Sequence, residues 1–369
     1  GLRAVLYTEM LQTILLIGGA AVVTVIGLVK LGGISALQAA ADPGTFDMWR
    51  PMNHPSFPWT GILFGAPILG VWYWCTDQFI VQRVLSANGI DHARRGTIFG
   101  GFLKLLPLFL FVIPGVIAAA LVKTGQLDIA RADHAFPEMI RSLLPVGVRG
   151  LVMAGFLAAL MSSLAAVFNS CSTLITWDVY RKIRPAASER RLVLVGKLAT
   201  VVLVGFGLLW IPLMKYVSGQ LYVYLQSVQA YISPPIAAVF LLGIFWKRVN
   251  GSGAIASLGA GFVLGAARLV LELLDDRVSG FLHWYADINF LHFAILLFAV
   301  CAGVLIAVSL LTRPQSDEQL EGLTFATTAR AGAAVGAGLR SSPKWRRLDV
   351  VLSVVLVLAV VLVWVAFRG

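Results

Sequence analysis

The chain has 369 residues, of which 59% are hydrophobic and only 13% charged, and its mean hydropathy is +0.86. A soluble domain carries about 25% charged residues, so this composition excludes an ordinary soluble protein and describes a polytopic membrane protein. The net charge of +11 would point to a nucleic-acid partner in a soluble chain, but here it must first be read against the loops that carry it.

The chain opens on Gly1 beside an apolar run, with no basic leader and no small-residue cleavage site. The expectation is a later part of a longer protein whose true start is missing. Cys75, Cys171 and Cys301 all lie in apolar runs. They form no paired, loop-borne set that would predict a disulfide framework, and no CxxC that would predict metal or redox work.

Apolar runs of about 20 residues are the unit of a spanning helix. About nine are predicted, at 7–31, 58–82, 98–122, 148–175, 192–214, 219–245, 252–274, 289–312 and 348–367. Basic residues fall in alternate connections: Arg83, His92, Arg94 and Arg95; Arg181, Lys182, Arg184, Arg190 and Arg191; Lys247 and Arg248; then Arg313, Arg330, Arg340, Lys344, Arg346 and Arg347. The other connections are poorer in Lys and Arg and hold Asp42, Asp47, Asp128, Asp133, Glu138, Asp275 and Asp276. Cytoplasmic loops keep the positive charge, which predicts residue 1 inside and residue 369 outside, in the plasma (inner) membrane. The basic excess therefore reports topology, and no nucleic-acid partner is expected. The 313–346 connection, rich in Ala, Gly, Thr and Ser, reads as a loose cytoplasmic loop. The last three runs are the plainest and read as peripheral, lipid-facing helices.

Within the fourth run, Ala158 to Thr173 reads AALMSSLAAVFNSCST. On a helix Ser162, Ala166, Asn169 and Thr173 share one face, while Leu157, Leu160, Leu164 and Val167 cover much of the rest. A small, oxygen-bearing stripe lets another helix approach closely, or offers oxygens to a hard cation. The residues alone leave both readings open.

Charged residues inside a span cost about 2.5–3.5 kcal/mol each at the centre and are functional suspects by default. Glu9 lies near the start of the first run, and Asp77 and Gln78 follow the aromatics of WYWCTDQFIVQR. Lys104 sits about two turns into the third run, and Gln226 lies in YLQSVQAYISPP. Each has a plainer reading: an interfacial carboxylate for Glu9, a partner of Arg83 for Asp77, a snorkelling amine for Lys104, interhelical glue for Gln226. Arg268 and Glu272, four residues apart, read as a structural, snorkelling pair. Tyr73 and Trp74 lie within their run rather than at its edge, and aromatic faces beside fixed polar groups suit a sugar. Pro234–Pro235 must kink the sixth run, and broken helices at depth mark transporter sites. Without HExxH, clustered His or Cys, or a facing carboxylate pair, no enzyme is expected.

The segments WYWCTDQFIVQRVLSA (72–87), Gly100–Lys104 with Pro107, GLVMAGFLAALMSSLAAVFNSCSTLITWDVY (150–180), SPPIAAVFLLGIFWKRVNGSG (233–253) and the opening GLRAVLYTEMLQT together resemble the sodium/solute symporter family, most closely its sugar branch, the sodium–glucose cotransporters. The resemblance extends over nearly the whole chain. It implies an all-α integral membrane protein of the LeuT-type inverted-repeat transporter fold in partial form: the fifth core helix, a complete second repeat and three appended helices. The implied division is a transporter core at 1–246 and peripheral helices at 247–369.

Carried across residue by residue, the resemblance implies sodium ligands at the Ala159 carbonyl and the Ser162 and Ser163 hydroxyls. It implies sugar contacts at Tyr73, Trp74, Lys104 and Gln226, with Glu9, Asp77 and Gln78 as coupling or gating candidates. Glu9 stands where the family often has Asp, Ala165 and Ala166 where members with a second sodium have hydroxyls, and Gly70 where some relatives use Asn. The implied function is sodium-coupled symport of a monosaccharide by alternating access, one sodium per sugar, with the sodium ion as coupling ion and no cofactor. The alternatives are a same-family symporter of another solute (inositol, an amino acid, a carboxylate) and a non-transporting sodium or sugar sensor. The expected partners are sodium, a small sugar and the lipid bilayer; the oligomeric state has no signal in the sequence.

Overall fold

A computed structural model describes residues 2–217, 221–274, 279–328 and 343–368. The elements are helical: α1 Leu2–Leu31, α2 Ile34–Ala40, α3 Gly61–Thr76, α4 Gln78–Leu85, α5 Ile90–Leu103, α6 Ile113–Lys123, α7 Ala135–Leu143, α8 Val146–Leu174, α9 Glu189–Val217, α10 Leu221–Phe245, α11 Gly251–Leu273, α12 Phe281–Asp287, α13 Phe290–Leu311, α14 Asp317–Leu320 and α15 Pro343–Ala366. Among the described residues, eight helical stretches are long and apolar enough to cross a membrane, and α3 is a ninth, shorter apolar helix. The chain is a multi-pass membrane protein.

The shortness of α3 has a local cause. Asp77 adopts extended backbone and its carboxylate accepts from the Phe79 amide at 2.9 Å, so it caps α4. The predicted run at 58–82 is thus two helices, and Asp77 is a capping group at their junction rather than a charge along one span. Arg83 donates to the Phe79 carbonyl at 2.5 Å and stacks over the Phe79 ring. Turns of π-helix open and close α3, precede α6 at Leu108–Val112 and extend α8 at Ile175–Tyr180.

The chain divides into two compact units: residues 1–46 with 99–216, and residues 47–98 with 217–369. This division differs from the expected one at 246/247, which falls inside the second unit. In the first unit, α1 packs along α8 and against α6 and α7. The core there is Val23, Ile117, Leu121, Met139, Ile140 and Val152.

In the second unit α10, α11 and α13 pack as a bundle whose core includes Ala230, Tyr231, Phe293, Leu297 and Cys301. α11 and α13, expected to be peripheral, pack closely on α10, while α11 keeps an exposed apolar face at Ile255, Phe262 and Val263. A small-residue stripe at every fourth position of α11 explains their close packing: Gly253, Ser257, Gly261 and Gly265. The Ser257 hydroxyl donates to the Cys301 carbonyl at 2.9 Å, and a Cβ at Gly261 would strike the Pro235 ring. Pro234 and Pro235 do not break α10, which runs on through both. Pro235 cannot donate to the Tyr231 carbonyl one turn back. Gly265 backs onto that carbonyl so closely that an added Cβ would sit 2.5 Å from the oxygen.

Arg268 does not snorkel. It is 3% exposed and donates to Glu272 Oε1 at 3.0 Å and to the Tyr285 and Ile288 carbonyls, beneath the Phe293 ring. Tyr231 donates to Glu272 as well. The pair is structural, as its spacing predicts, and its guanidinium is buried because carbonyls and rings satisfy it without water, while Glu272 stays part-exposed. The 313–346 connection is also less loose than predicted over its first half. Ser316 and Gln319 form a capping box at α14, Leu320 is buried, and Phe325 lies 5.8 Å from the Phe245 ring; residues 329–342 lie outside the described residues. The last helix, α15, is tied at both ends: Asp349 to Arg95 at 3.6 Å, and Phe367, whose carbonyl accepts from the Met48 amide at 2.7 Å.

Replacing Gly265 by Ala will lower thermal stability by about 1–3 kcal/mol through collision with the Tyr231 backbone. Gly259→Ala, where an added methyl meets nothing within 4 Å, will leave it unchanged or raise it by up to about 1 kcal/mol. Melting of the purified chain in detergent distinguishes the two; equal effects would contradict the packing described.

Candidate functional site

Three contacts set the crossing of α1 and α8. A Cβ at Gly155 would lie 3.2 Å from the Leu15 Cβ, Gly19 lies equally close to the Val152 side chain, and Ser162 Oγ donates to Glu9 Oε1 at 3.1 Å. The pairs 9 with 162, 15 with 155 and 19 with 152 run in opposite senses, so the helices are antiparallel. Glycine at 155 and 19 removes the side chains that would hold the backbones apart, and this brings the short serine within reach of the carboxylate.

Glu9 and Ser162, chosen separately from sequence, are therefore partners across 153 residues. Ser163 beside them is exposed, and Ala159 lies one turn below on the same uninterrupted helix. Because α8 is continuous there, the Ala159 carbonyl keeps its helical bond and offers its second lone pair. Ser162 uses its proton on Glu9, which leaves its own lone pairs free to accept or to ligate. A carboxylate, two hydroxyls and a carbonyl are hard oxygen donors, the chemistry that a sodium ion takes.

The rest of the stripe behaves differently. The Ser170 and Thr173 hydroxyls bond back to the Ala166 and Asn169 carbonyls, and Ser172 donates to the Gly196 carbonyl of α9 at 2.8 Å. Asn169 is exposed and Ala166 buried. These positions serve helix packing and local bonding.

One residue at this crossing was missed by the sequence reading. Gln12 carries a buried side-chain oxygen with no hydrogen-bond partner among the described residues. It lies one turn on from Glu9, and the antiparallel register puts it level with Ala159. The available signal was its i+3 spacing from an intramembrane acid.

The proposed sugar contacts are distributed as follows. The Tyr73 and Trp74 rings meet edge to face at 5.3 Å in the last turn of α3, Tyr73 half-buried and Trp74 exposed. Gln226 is half-buried on α10, which packs against the 72–76 turn. Gln78 is half-buried in the first turn of α4. Lys104 belongs to the other unit, exposed just past the end of α5, with its amide bonded to the Gly100 and Gly101 carbonyls.

The helical membrane fold is of the LeuT type. The same fold is seen in a solved structure of a Na+-coupled sialic acid symporter in a substrate-bound outward-open state. The TM-score is 0.67 at 23% identity, with 86% of this chain and 64% of that one covered. The model of the sodium:solute symporter family matches residues 1–261, and the chain belongs to that family. The bovine (Bos taurus) sodium/mannose cotransporter SLC5A10 is 40% identical over 383 residues, 92% of this chain and 64% of the relative. Mouse (Mus musculus) sodium/glucose cotransporter 4 is 40% identical over 367 residues, 89% of this chain and 53% of the relative. The mouse sodium/myo-inositol cotransporter is 39% identical over 374 residues, 88% and 52%. The chain thus spans half to two-thirds of the length of these relatives. They are cotransporters, not enzymes.

A double-mutant cycle with Glu9→Ala and Ser162→Ala, read by thermal melting, is expected to give a coupling energy of about 1 kcal/mol. Strict additivity would mean that the two side chains do not interact.

Proposed function

We propose that this chain is part of a sodium-coupled symporter for a monosaccharide or a related polyol. The observation that carries the reading is the hydrogen bond from Ser162 to Glu9, which gathers hard oxygen donors at a glycine-spaced helix crossing. Sodium binds the Ala159 carbonyl and the Ser162 and Ser163 hydroxyls. Glu9 supplies a counter-charge beside them and acts in coupling, and Gln12 adds a neutral oxygen at the same level. Mannose, glucose and myo-inositol in the names of the relatives support a polyhydroxylated solute.

Tyr73 and Trp74 present ring faces that suit the C–H face of a sugar, and Gln226 offers both donor and acceptor to its hydroxyls. Lys104 is proposed as a further solute contact from its match to the family motif. Asp77 and Gln78 form the junction between α3 and α4, where a change in the capping bond re-aims the turn that carries Tyr73. Sodium entry down the membrane potential supplies about 2.3 kcal/mol per charge per 100 mV, which drives solute accumulation as the repeats alternate in access. Ala165 and Ala166 support a stoichiometry of one sodium per solute.

Ser162→Ala with Ser163→Ala in the whole protein will abolish sodium-dependent uptake of radiolabelled sugar or inositol while leaving the protein in the membrane; unchanged uptake would return the stripe to helix packing. Reversal potentials will report one sodium per solute, and a value of two would refute the role given to Ala165 and Ala166. The uptake panel over mannose, glucose and myo-inositol assigns the substrate.

A further inference from the structure

The connection between α8 and α9 carries five cations within eleven residues: Arg181, Lys182, Arg184, Arg190 and Arg191. Two carboxylates, Asp178 and Glu189, lie within or beside it. Only residues 184–188 separate the two helical stretches, Val146–Ile183 and the one starting at Glu189. All five cations are therefore held within about one helical turn of two adjacent helix ends. All five are exposed.

Their engagement within the protein is slight. Lys182 lies 4.0 Å from Asp178, and Arg181 stacks over the Trp177 ring at 4.3 Å. Arg184, Arg190 and Arg191 make no ion pair among the described residues. Other basic connections behave otherwise. Arg95 pairs with Asp349, Lys247 lies 3.9 Å from Asp317, and Arg248 donates to the Leu310 and Thr312 carbonyls.

The apolar setting fixes the depth of this patch. Trp177, Val179 and Ile183 on one side and Val193 and Leu194 on the other are each at least half exposed. Exposed apolar side chains on spanning helices, ending at an exposed tryptophan and then at a ring of cations, mark the level of lipid headgroups. We propose that the Arg181–Arg191 connection is a binding site for anionic phospholipid headgroups. Arg184, Arg190 and Arg191 are the phosphate-binding cations, since guanidinium groups bind phosphate oxygens in pairs, and Trp177 is the interfacial anchor. Such a headgroup tethers the inner end of α8, the helix that bears Ser162 and Ser163.

The test uses the whole chain in nanodiscs and counts bound lipid by native mass spectrometry, with phosphatidylglycerol against phosphatidylcholine. The parent protein will retain phosphatidylglycerol in preference to phosphatidylcholine, and salt will weaken that retention. Arg184→Gln, Arg190→Gln and Arg191→Gln together will lower phosphatidylglycerol affinity by about a hundredfold, at roughly fivefold per cation. Lys at the same three positions will keep most of the binding. Lys123→Gln with Arg131→Gln, outside the connection, will keep all of it. If the Gln variant does not fold, the Lys variant against single Gln replacements carries the comparison. Equal retention of the two lipids by the parent, or undiminished phosphatidylglycerol binding by the Gln variants, overturns the proposal.

Discussion

The close antiparallel crossing of α1 and α8 is the constraint on which the rest of the site depends. In lipid there is no hydrophobic force between helices, so their approach depends on van der Waals contact and on polar groups that find partners. Gly19 and Gly155 allow that approach, and Glu9 and Ser162 use it. The Ser162 hydroxyl gives the Glu9 carboxylate a hydrogen-bond donor from the facing helix. Without the glycines, the hydroxyls of Ser162 and Ser163 would be ordinary helix-surface groups.

The same device recurs in the second unit with a different outcome. There Gly253, Ser257, Gly261 and Gly265 draw α11 onto α10 and α13, and the polar groups that meet find partners. Arg268 and Glu272 are satisfied by each other, by Tyr231 and by two carbonyls. A satisfied polar network rigidifies. At the α1–α8 crossing, by contrast, Ser163 is exposed and the Gln12 oxygen has no partner among the described residues. This difference separates a closed hydrogen-bond network from a crossing whose polar atoms are not all paired within the described residues.

Much of this was legible in the sequence. Spans follow from apolar runs, and Glu9 and Ser162 stand out because each is out of place in lipid. Their partnership was not legible, because it joins residues 153 apart through a crossing that glycines far from the motif permit. Asp77 read as an intramembrane charge because its run looked continuous; only its extended backbone shows it to be a cap. Arg268 read as snorkelling because the carbonyls that satisfy it come from α12 and the residue after it, which no local pattern connects to it. The plain composition of α11 and α13 hid a period-four run of small residues on α11 that lets the two helices pack closely.

The central claim is that the α1–α8 crossing holds sodium. The most direct measurement is equilibrium binding of radioactive sodium to the purified whole protein, comparing the parent with Ser163→Ala, a change at an exposed hydroxyl that leaves the Glu9–Ser162 bond in place. The account predicts saturable binding by the parent and its loss in the variant. Sodium binding by Ser163→Ala equal to that of the parent would contradict it.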